Sequence, residues 1–479
     1  MSTPSLWTPK AMADAMQAEV CGAMPAAIHG LSIDSRTIVP GDAYFAIKGD
    51  VHDGHAFVDA ALKAGAALAV VARQKRDQFA ADAPLLVVED VLLGLIDLAQ
   101  ASRARLGAKV IAVTGSVGKT STKEMLRQVL EKQGKTHASV ASFNNHWGVP
   151  LSLARCPAET DYAVFEIGMN HAGEITPLVK LVRPHIAIVT TVEPVHLEFF
   201  KNVAAIADAK AEIFSGVEPG GVAVLNRDND QFARLKRGAG KAGITNIVAF
   251  GAHKSADARL LDVALHPTCS AIHADILDHD ITYKLAMPGR HMALNSLAVL
   301  ATTSLAGADL ARSALALSQI QAAAGRGVRK TLELVHGTAT LIDESYNANP
   351  ASMAAALNVL GGAAIGSQGR RIAVLGDMLE LGPTGADLHR ALAEAVKANG
   401  IDMVFCCGPL MQNLWDALPS GTRGGYAESA NQLESQVVTA LRDGDAVMIK
   451  GSLGSKMKVI VSALEKRFPH QAAHDDVAV

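Results

Sequence analysis

Between residues 109 and 251 the chain repeats one pattern. Apolar runs (KVIAVTGS, YAVFEIG, HIAIVTTV, GVAVLN and NIVAFG) alternate with helical stretches such as TSTKEMLRQVLEKQG and AAIADAKAEIFSGV. The runs are almost unbroken Val, Ile and Ala, with no polar residue at every second position. A strand of that kind is buried on both faces, which requires a parallel sheet covered by helices on each side. This rhythm restricts the chain to the α/β class.

The flanking regions follow the same logic. Residues 1–108 hold short mixed elements around GLSIDSRTIVPGDAYFAIKGD. A helix over AFVDAALKAGA, strands at ALAVVA and PLLVVED, and a helix near 91–106 come next. Residues 257–287 read as added β-hairpins, followed by alanine-rich helices near 290–306 and 309–323. AAAGRGVRK (322–330) is a glycine-rich break. Beyond it, strands at TATLIDES, RIAVLGD, MVFCCG and DAVMIKGS each precede a helical stretch, and the tail PHQAAHDDVAV reads as frayed. The expectation is three domains, 1–108, 109–324 and 325–479, which fits 479 residues at roughly 100–200 per domain.

Composition excludes several classes. With 49% hydrophobic and 19% charged residues the chain can bury large cores. A net charge of −3, from 44 basic and 47 acidic residues, lacks the basic footprint of a nucleic-acid binder. Cys21, Cys156, Cys269, Cys406 and Cys407 are odd in number and widely spaced, which fits a reducing cytoplasm rather than a disulfide framework or zinc site. The N-terminus has no signal-peptide pattern. MALNSLAVLATTSLAGA (292–308) carries too many polar residues for a membrane span and reads as a buried helix.

The chemistry centres on TGSVGKTS (114–121). An apolar strand runs into Gly115-Ser116-Val117-Gly118, and a helix follows from Lys119–Thr120. Backbone N–H groups of such a turn, with the positive helix end, hold phosphate. Lys119 would reach the outer phosphates, and a hydroxyl of Thr120 or Ser121 would ligate Mg²⁺. The plain alternative is an ordinary glycine turn. The spacing is two residues shorter than the common nucleotide loop.

Other polar residues gather at strand ends, the ligand edge of an open α/β sheet. Glu166 ends YAVFE and is either a magnesium ligand or an acid facing water. His196 follows AIVTTV and, alone, reads as structural. Lys210, in IADAKAEIF, reads by itself as a solvated helix lysine. Asn295 sits mid-helix on an apolar face, where its amide needs a partner and could read an adenine edge. Asp343, Glu344, Tyr346, Asn347 and Asn349 form a polar cluster beyond what a turn needs. LGDMLELG and IKGSLGSK load further strand ends, pointing to a site in a cleft between domains.

These stretches together resemble the Mur ligases, over nearly the whole chain from about Ser32 to Met457. TGSVGKTS is similar to the family's short ATP loop. SFNNHWGVPLSL, EIGMNHAGEI, DESYNANPASM and LGDMLELG resemble segments of the members that add D-alanyl-D-alanine. The resemblance implies a UDP-sugar-binding domain, a central P-loop ATPase-like domain with a mostly parallel sheet, and a C-terminal Rossmann-like domain. It implies an ATP-dependent ligase acting on UDP-MurNAc-tripeptide and D-alanyl-D-alanine through an acyl phosphate, with two Mg²⁺ ions, as a cytoplasmic monomer.

Residue by residue, the resemblance implies that Gly115 to Ser121, Asn295, Arg326 and Glu344 hold ATP: Asn295 the adenine, Arg326 the phosphates, Glu344 the ribose. It places Thr120, Glu166, His196 and a carbamylated Lys210 on the metals. Ser35 and Arg36 would face the UDP-sugar. Asn144, Asn145, Asn170 and His171 would lie near the reacting ends, with Tyr346, Asn347 and Asn349 also on the substrate. Three departures stand out: Met292 replaces an Asn in GRHM, Glu344 replaces the commoner Asp, and Leu453 replaces an Arg after Gly451-Ser452, with Lys456 a candidate substitute. The alternatives are another Mur-type or folylpolyglutamate-type ligase, or a P-loop kinase or nucleotide-dependent binding protein.

Overall fold

A computed structural model describes residues 5–195 and 197–469; His196 and the tail from 470 lie outside the described residues. Three sheets follow one another along the chain. In the first, Leu85–Val88, Leu68–Ala72, Asp42–Phe45 and Gly30–Ser32 are parallel neighbours, and Glu19–Cys21 pairs antiparallel with Leu85–Val88.

The second sheet has nine strands. Thr136–Ala138, Tyr162–Glu166, Lys109–Thr114, Ile186–Val189, Val222–Asn226 and Asn246–Gly251 run parallel in that spatial order. Ala258–Leu265, Ser270–Ile276 and Asp280–Leu285 extend it as the expected hairpins. Lys109–Thr114 lies between Tyr162–Glu166 and Ile186–Val189, so the chain departs from it to both sides. That is a topological switch point, where loops part and leave a crevice.

In the third sheet Ala446–Lys450 inserts between Thr338–Glu344 and Arg371–Gly376, making a second switch point. Val328–Glu333 adds an antiparallel edge to Thr338–Glu344. Sequence reading treated 322–330 wholly as a break and missed this strand. Its polar make-up, VRKTLE, gave no apolar run, because an edge strand buries little. Arg423–Ala427, at the opposite edge, was missed because its Arg-Gly-Gly start breaks the apolar run. The second alanine-rich helix is shorter than expected, Leu310–Leu317.

The helix MALNSLAVLATTSLAGA does form, as Arg290–Leu305, and it is buried against the middle sheet. Among the described residues no helix is long and apolar enough to cross a membrane. The first unit is locked to the second. One apolar cluster runs from Trp7 to Ile244 across both. Arginines of the helix Val91–Arg105 seal it: Arg103 donates to Val182 O at 2.8 Å, and Arg105 Nη2 to Cys156 O at 3.3 Å. The third unit meets the second mainly around a cleft, where Val359 lies 3.0 Å from where a methyl on Gly289 would be.

A buried ion pair ties strand ends of the third unit together. Asp445, 1% exposed, accepts Arg370 Nη2 at 2.7 Å and the backbone N–H groups of Arg370 and Arg442 at 2.8 and 2.9 Å. Removing the carboxylate leaves a guanidinium and two N–H groups without their acceptor. Asp445→Ala is therefore expected to destabilise the protein by about 3 kcal/mol or more, read as a shift in urea midpoint.

Candidate active site

The loop after Lys109–Thr114 emerges at the first switch point. A methyl on Gly115 would collide with Thr190 Oγ1, so the loop can lie against the next strand end only as glycine. Gly118 has φ +86°, where a side chain is strained, and a methyl there would sit 2.7 Å from Asn295 Nδ2. Ser116 Oγ donates to Glu193 O at 3.1 Å and accepts the Glu193 N–H at 2.9 Å; Thr190 Oγ1 donates to Val117 O at 2.6 Å. The loop is thus pinned from outside, and the helix Lys119–Leu130 begins at once. Lys119 Nζ folds back onto Gly115 O at 2.7 Å.

Glu166, 1% exposed, faces this loop from the neighbouring strand end. Thr120 Oγ1 donates to its Oε2 at 2.8 Å and Asn144 Nδ2 to its Oε1 at 2.7 Å. The carboxylate therefore joins the glycine loop to the SFNN segment. Of the two readings open for Glu166, the acid facing water is overturned: the group is buried. Ser121, Asn295 and Asn144 line the same cleft, which has a volume of about 500 Å³.

The opposite wall comes from the third sheet. Arg326 lies 4.4 Å over the Tyr346 ring, and its Nη2 reaches Ser142 Oγ at 3.4 Å. Lys450 Nζ donates to Asn347 O at 2.8 Å and lies 3.4 Å from Glu344 Oε2. Burial holds Lys450 below the usual lysine pKa, with Glu344 pulling the other way. Lys119 is lowered as well, by burial first, with Glu166 opposing and Arg326 adding to the effect.

Lys210 is 2% exposed and not solvated, so the plain reading of a surface helix lysine is overturned. Its pKa falls well below the ordinary value, through burial and then through repulsion from Lys119. Both effects disfavour the ammonium relative to the uncharged amine, the form that reacts with CO₂. His196 lies outside the described residues.

Other candidates are placed elsewhere or do local work. Ser35 and Arg36 lie on a turn of the first unit, Arg36 exposed and forked onto Asp34 at 2.9 and 2.7 Å. Asn145 Oδ1 accepts the Gly148 N–H at 2.9 Å and so starts the helix Gly148–Ala154. Asn170 and His171 are exposed; the His171 ring lies tilted against Phe199 at 4.5 Å, and its Nδ1 is 2.9 Å from Glu174 Oε1. Asn349 lines the cleft and also caps Pro350–Gly361 in a capping box with Ser352. Leu453 is 65% exposed, and Lys456 is exposed with φ +54°.

Against known families, the Mur ligase catalytic domain matches residues 27–103, the Mur ligase middle domain 113–303, and the Mur ligase glutamate ligase domain 331–453. The chain is 35% identical to the UDP-N-acetylmuramoyl-tripeptide–D-alanyl-D-alanine ligase of Escherichia coli, covering 95% of this chain and 97% of that one. The chain belongs to the Mur ligase family. The same-named ligase of Rickettsia prowazekii is 31% identical to this Mur ligase over 95% of its length and 99% of the relative's. Its fold superposes on MurF of Acinetobacter baumannii with a TM-score of 0.82, at 29% identity and 96% and 99% coverage. MurF of Thermotoga maritima in complex with ADP gives 0.74, at 25% identity and 91% and 98% coverage.

Three cleft residues of this Mur ligase escaped sequence reading. Lys450 had a signal, a charge closing the apolar strand AVMIK. His291 was visible only as part of GRHM; burial lowers its pKa, against Glu344. Arg329 had none, since strand alternation is legible only once Val328–Glu333 is known to be a strand. Its Nε and Nη2 have no hydrogen-bond partner among the described residues. Because Gly118 has a left-handed φ and no room for a methyl, Gly118→Ala is expected to lower the melting temperature by a few degrees and to weaken binding of an ATP analogue roughly tenfold, measured by calorimetry.

Proposed function

We propose that this Mur ligase joins D-alanyl-D-alanine to UDP-N-acetylmuramoyl-tripeptide, converting ATP to ADP and phosphate and giving the UDP-linked pentapeptide, a peptidoglycan precursor. The observation that carries the reading is the buried Glu166 carboxylate. It ties the glycine loop to the SFNN segment inside a cleft whose other wall holds Arg326 and Lys450, in a chain 35% identical over 95% of its length to a ligase of that name.

In this reading residues 1–108 hold the UDP-sugar, with Ser35 and Arg36 turned to it; residues 109–324 hold ATP; and residues 325–479 bring the acceptor. A carboxylate oxygen of the tripeptide attacks the γ-phosphorus of ATP and ADP leaves. The acceptor amine then attacks the acyl carbon of the resulting acyl phosphate, loses a proton, and phosphate departs. The first step brings two anions together, so positive charge and fixed geometry matter more than an acid or base. Lys119 releases Gly115 O for the outer phosphates, the loop N–H groups cradle them, and Arg326 approaches from the third unit.

Asn295 meets the adenine and Glu344 the ribose, while Asn144, Asn145, Asn170, His171, Tyr346, Asn347 and Asn349 surround the peptide ends. Closing the third unit over the cleft keeps water from the acyl phosphate.

The donor set fits Mg²⁺, a hard cation that prefers oxygen. Among the described residues no three His, Cys, Asp or Glu side chains converge on a metal position. The oxygens would come instead from Thr120, Glu166 and a carbamate on Lys210, and His196, outside the described residues, would add a nitrogen to the set for two ions. Mg²⁺ bound there supplies charge neutralisation for the phosphates. A carbamate on Lys210 also replaces its repulsion from Lys119 by attraction, which gives the modification a physical reason. The free cysteines suit a reducing cytoplasm, and the protein acts as a monomer on small-molecule substrates.

The deciding experiment measures ADP release with UDP-MurNAc-tripeptide and D-alanyl-D-alanine together and with each omitted. Release that needs both supports the ligase; release indifferent to the acceptor would indicate a kinase or another nucleotide-driven protein. Lys119→Ala is expected to cut the rate about a hundredfold or more. Lys210→Ala should lose activity and regain part of it with added short carboxylates. Full activity without them would leave Lys210 as a buried structural lysine.

A further inference from the structure

Lys123 is fully buried, 0% exposed, four residues after the loop lysine. Its ammonium has three donors, and all three have acceptors: Ser139 O at 2.6 Å, Ala141 O at 2.9 Å and Glu124 Oε1 at 2.6 Å. No donor remains for a ligand, and Lys123 does not line the cleft. A buried cation is a poor way to stabilise a core, where an apolar side chain of like volume commonly serves as well or better. The charge therefore calls for another reason.

Its acceptors supply one. Ala141 has φ +48°, a left-handed conformation that an alanine adopts only when held. The chain then turns, with Phe143 N–H on Val140 O at 3.1 Å and Asn144 N–H on Ser142 O at 2.7 Å. The next residues do the site's work: Ser142 meets Arg326, and Asn144 meets Glu166. Ser139 is tied to the same strand end, its Oγ accepting the Glu166 N–H at 3.3 Å. Thr120 and Lys123 are three apart on one helix and so share a face. One reaches Glu166 directly; the other reaches the turn that brings Asn144 to Glu166.

We propose that Lys123 is a positioning residue for the ligation. By holding the Ser139 and Ala141 carbonyls it fixes the left-handed turn that places Ser142 and Asn144, and so sets the SFNN segment in register with the helix of the ATP loop. The inference rests on the ligase reading above. It also separates two effects that a general structural role would merge: Lys123 governs how the peptide-bearing substrate is held, and leaves the phosphate loop intact.

The test compares the full-length protein with Lys123→Met and with Lys123→Met/Ala141→Gly. In Lys123→Met, calorimetric affinity for β,γ-imido-ATP should stay within about threefold of the parent. The kcat of acceptor-dependent ADP release should fall about a hundredfold, and KM for the UDP-tripeptide should rise. Adding Ala141→Gly should recover about tenfold, because glycine enters the left-handed region without being held.

The proposal is overturned if Lys123→Met keeps the parent kcat and KM. It is also overturned if nucleotide affinity falls in step with activity, or if the activity lost merely tracks the unfolded fraction with no recovery from Ala141→Gly. Should Lys123→Met not fold, Lys123→Arg keeps the charge while shifting the donors. It should show the same split between nucleotide affinity and turnover, and parent-like turnover in it overturns the proposal. A parent protein without acceptor-dependent turnover overturns the ligase reading and this inference with it, whereas normal parent turnover with an unaffected Lys123→Met overturns this inference alone.

Discussion

The buried carboxylate of Glu166 is the contact on which the cleft depends. A carboxylate inside a protein must be paired or hydrogen-bonded, or it takes up a proton. Here one oxygen accepts from Thr120, at the first turn of the loop helix, and the other from Asn144, beyond the turn held by Lys123. Both partners are forced toward it by the same need. The glycine loop, the end of Tyr162–Glu166 and the SFNN segment therefore occupy one place, although 46 and 22 residues separate the partners from Glu166 in sequence.

Around that anchor the charges do not balance. Lys119, Arg326, Arg329 and Lys450 line the cleft against Glu166 and Glu344, and the buried Lys210 is repelled by Lys119. Lys119, Arg329, Lys450 and Lys210 all have lowered pKa values, burial being the leading cause in each. Cations assembled at this cost would be stabilised by an anion in the cleft, which is the physical ground for the proposed polyphosphate. Two switch points facing one another, one in each of the larger sheets, give that anion a wall on either side.

How much was legible follows from how local each signal is. The parallel strands of the middle sheet were readable because each is a self-contained apolar run. The glycine loop was readable because strand, turn and helix are consecutive. The edge strands were not: Val328–Glu333 is polar and buries only Leu332, and the Arg-Gly-Gly start of Arg423–Ala427 breaks its apolar run. Lys210 is the clearest contrast. In sequence it sits in an ordinary amphipathic helix, and only the family resemblance drew notice to it; in the structure it is buried beside a second cation. Asn145 and Asn349, read as substrate contacts, also prove to start helices.

The amino-acid sequence by itself determined the class of fold, the order of the units and the position of the glycine loop. Each of these is written in periodicity and turn chemistry over a few residues. It also carried enough of the SFNN, EIGMNH and ESYNAN segments to place the chain among the Mur ligases. Only the tertiary structure decided that Glu166 is buried between Thr120 and Asn144, that Lys450 and Glu344 pair across neighbouring strands, and that Lys123 holds a left-handed alanine. Those contacts depend on strand order and register, which bring together residues tens to a hundred positions apart. No local pattern encodes such neighbours, because they are set by how whole sheets and helices pack.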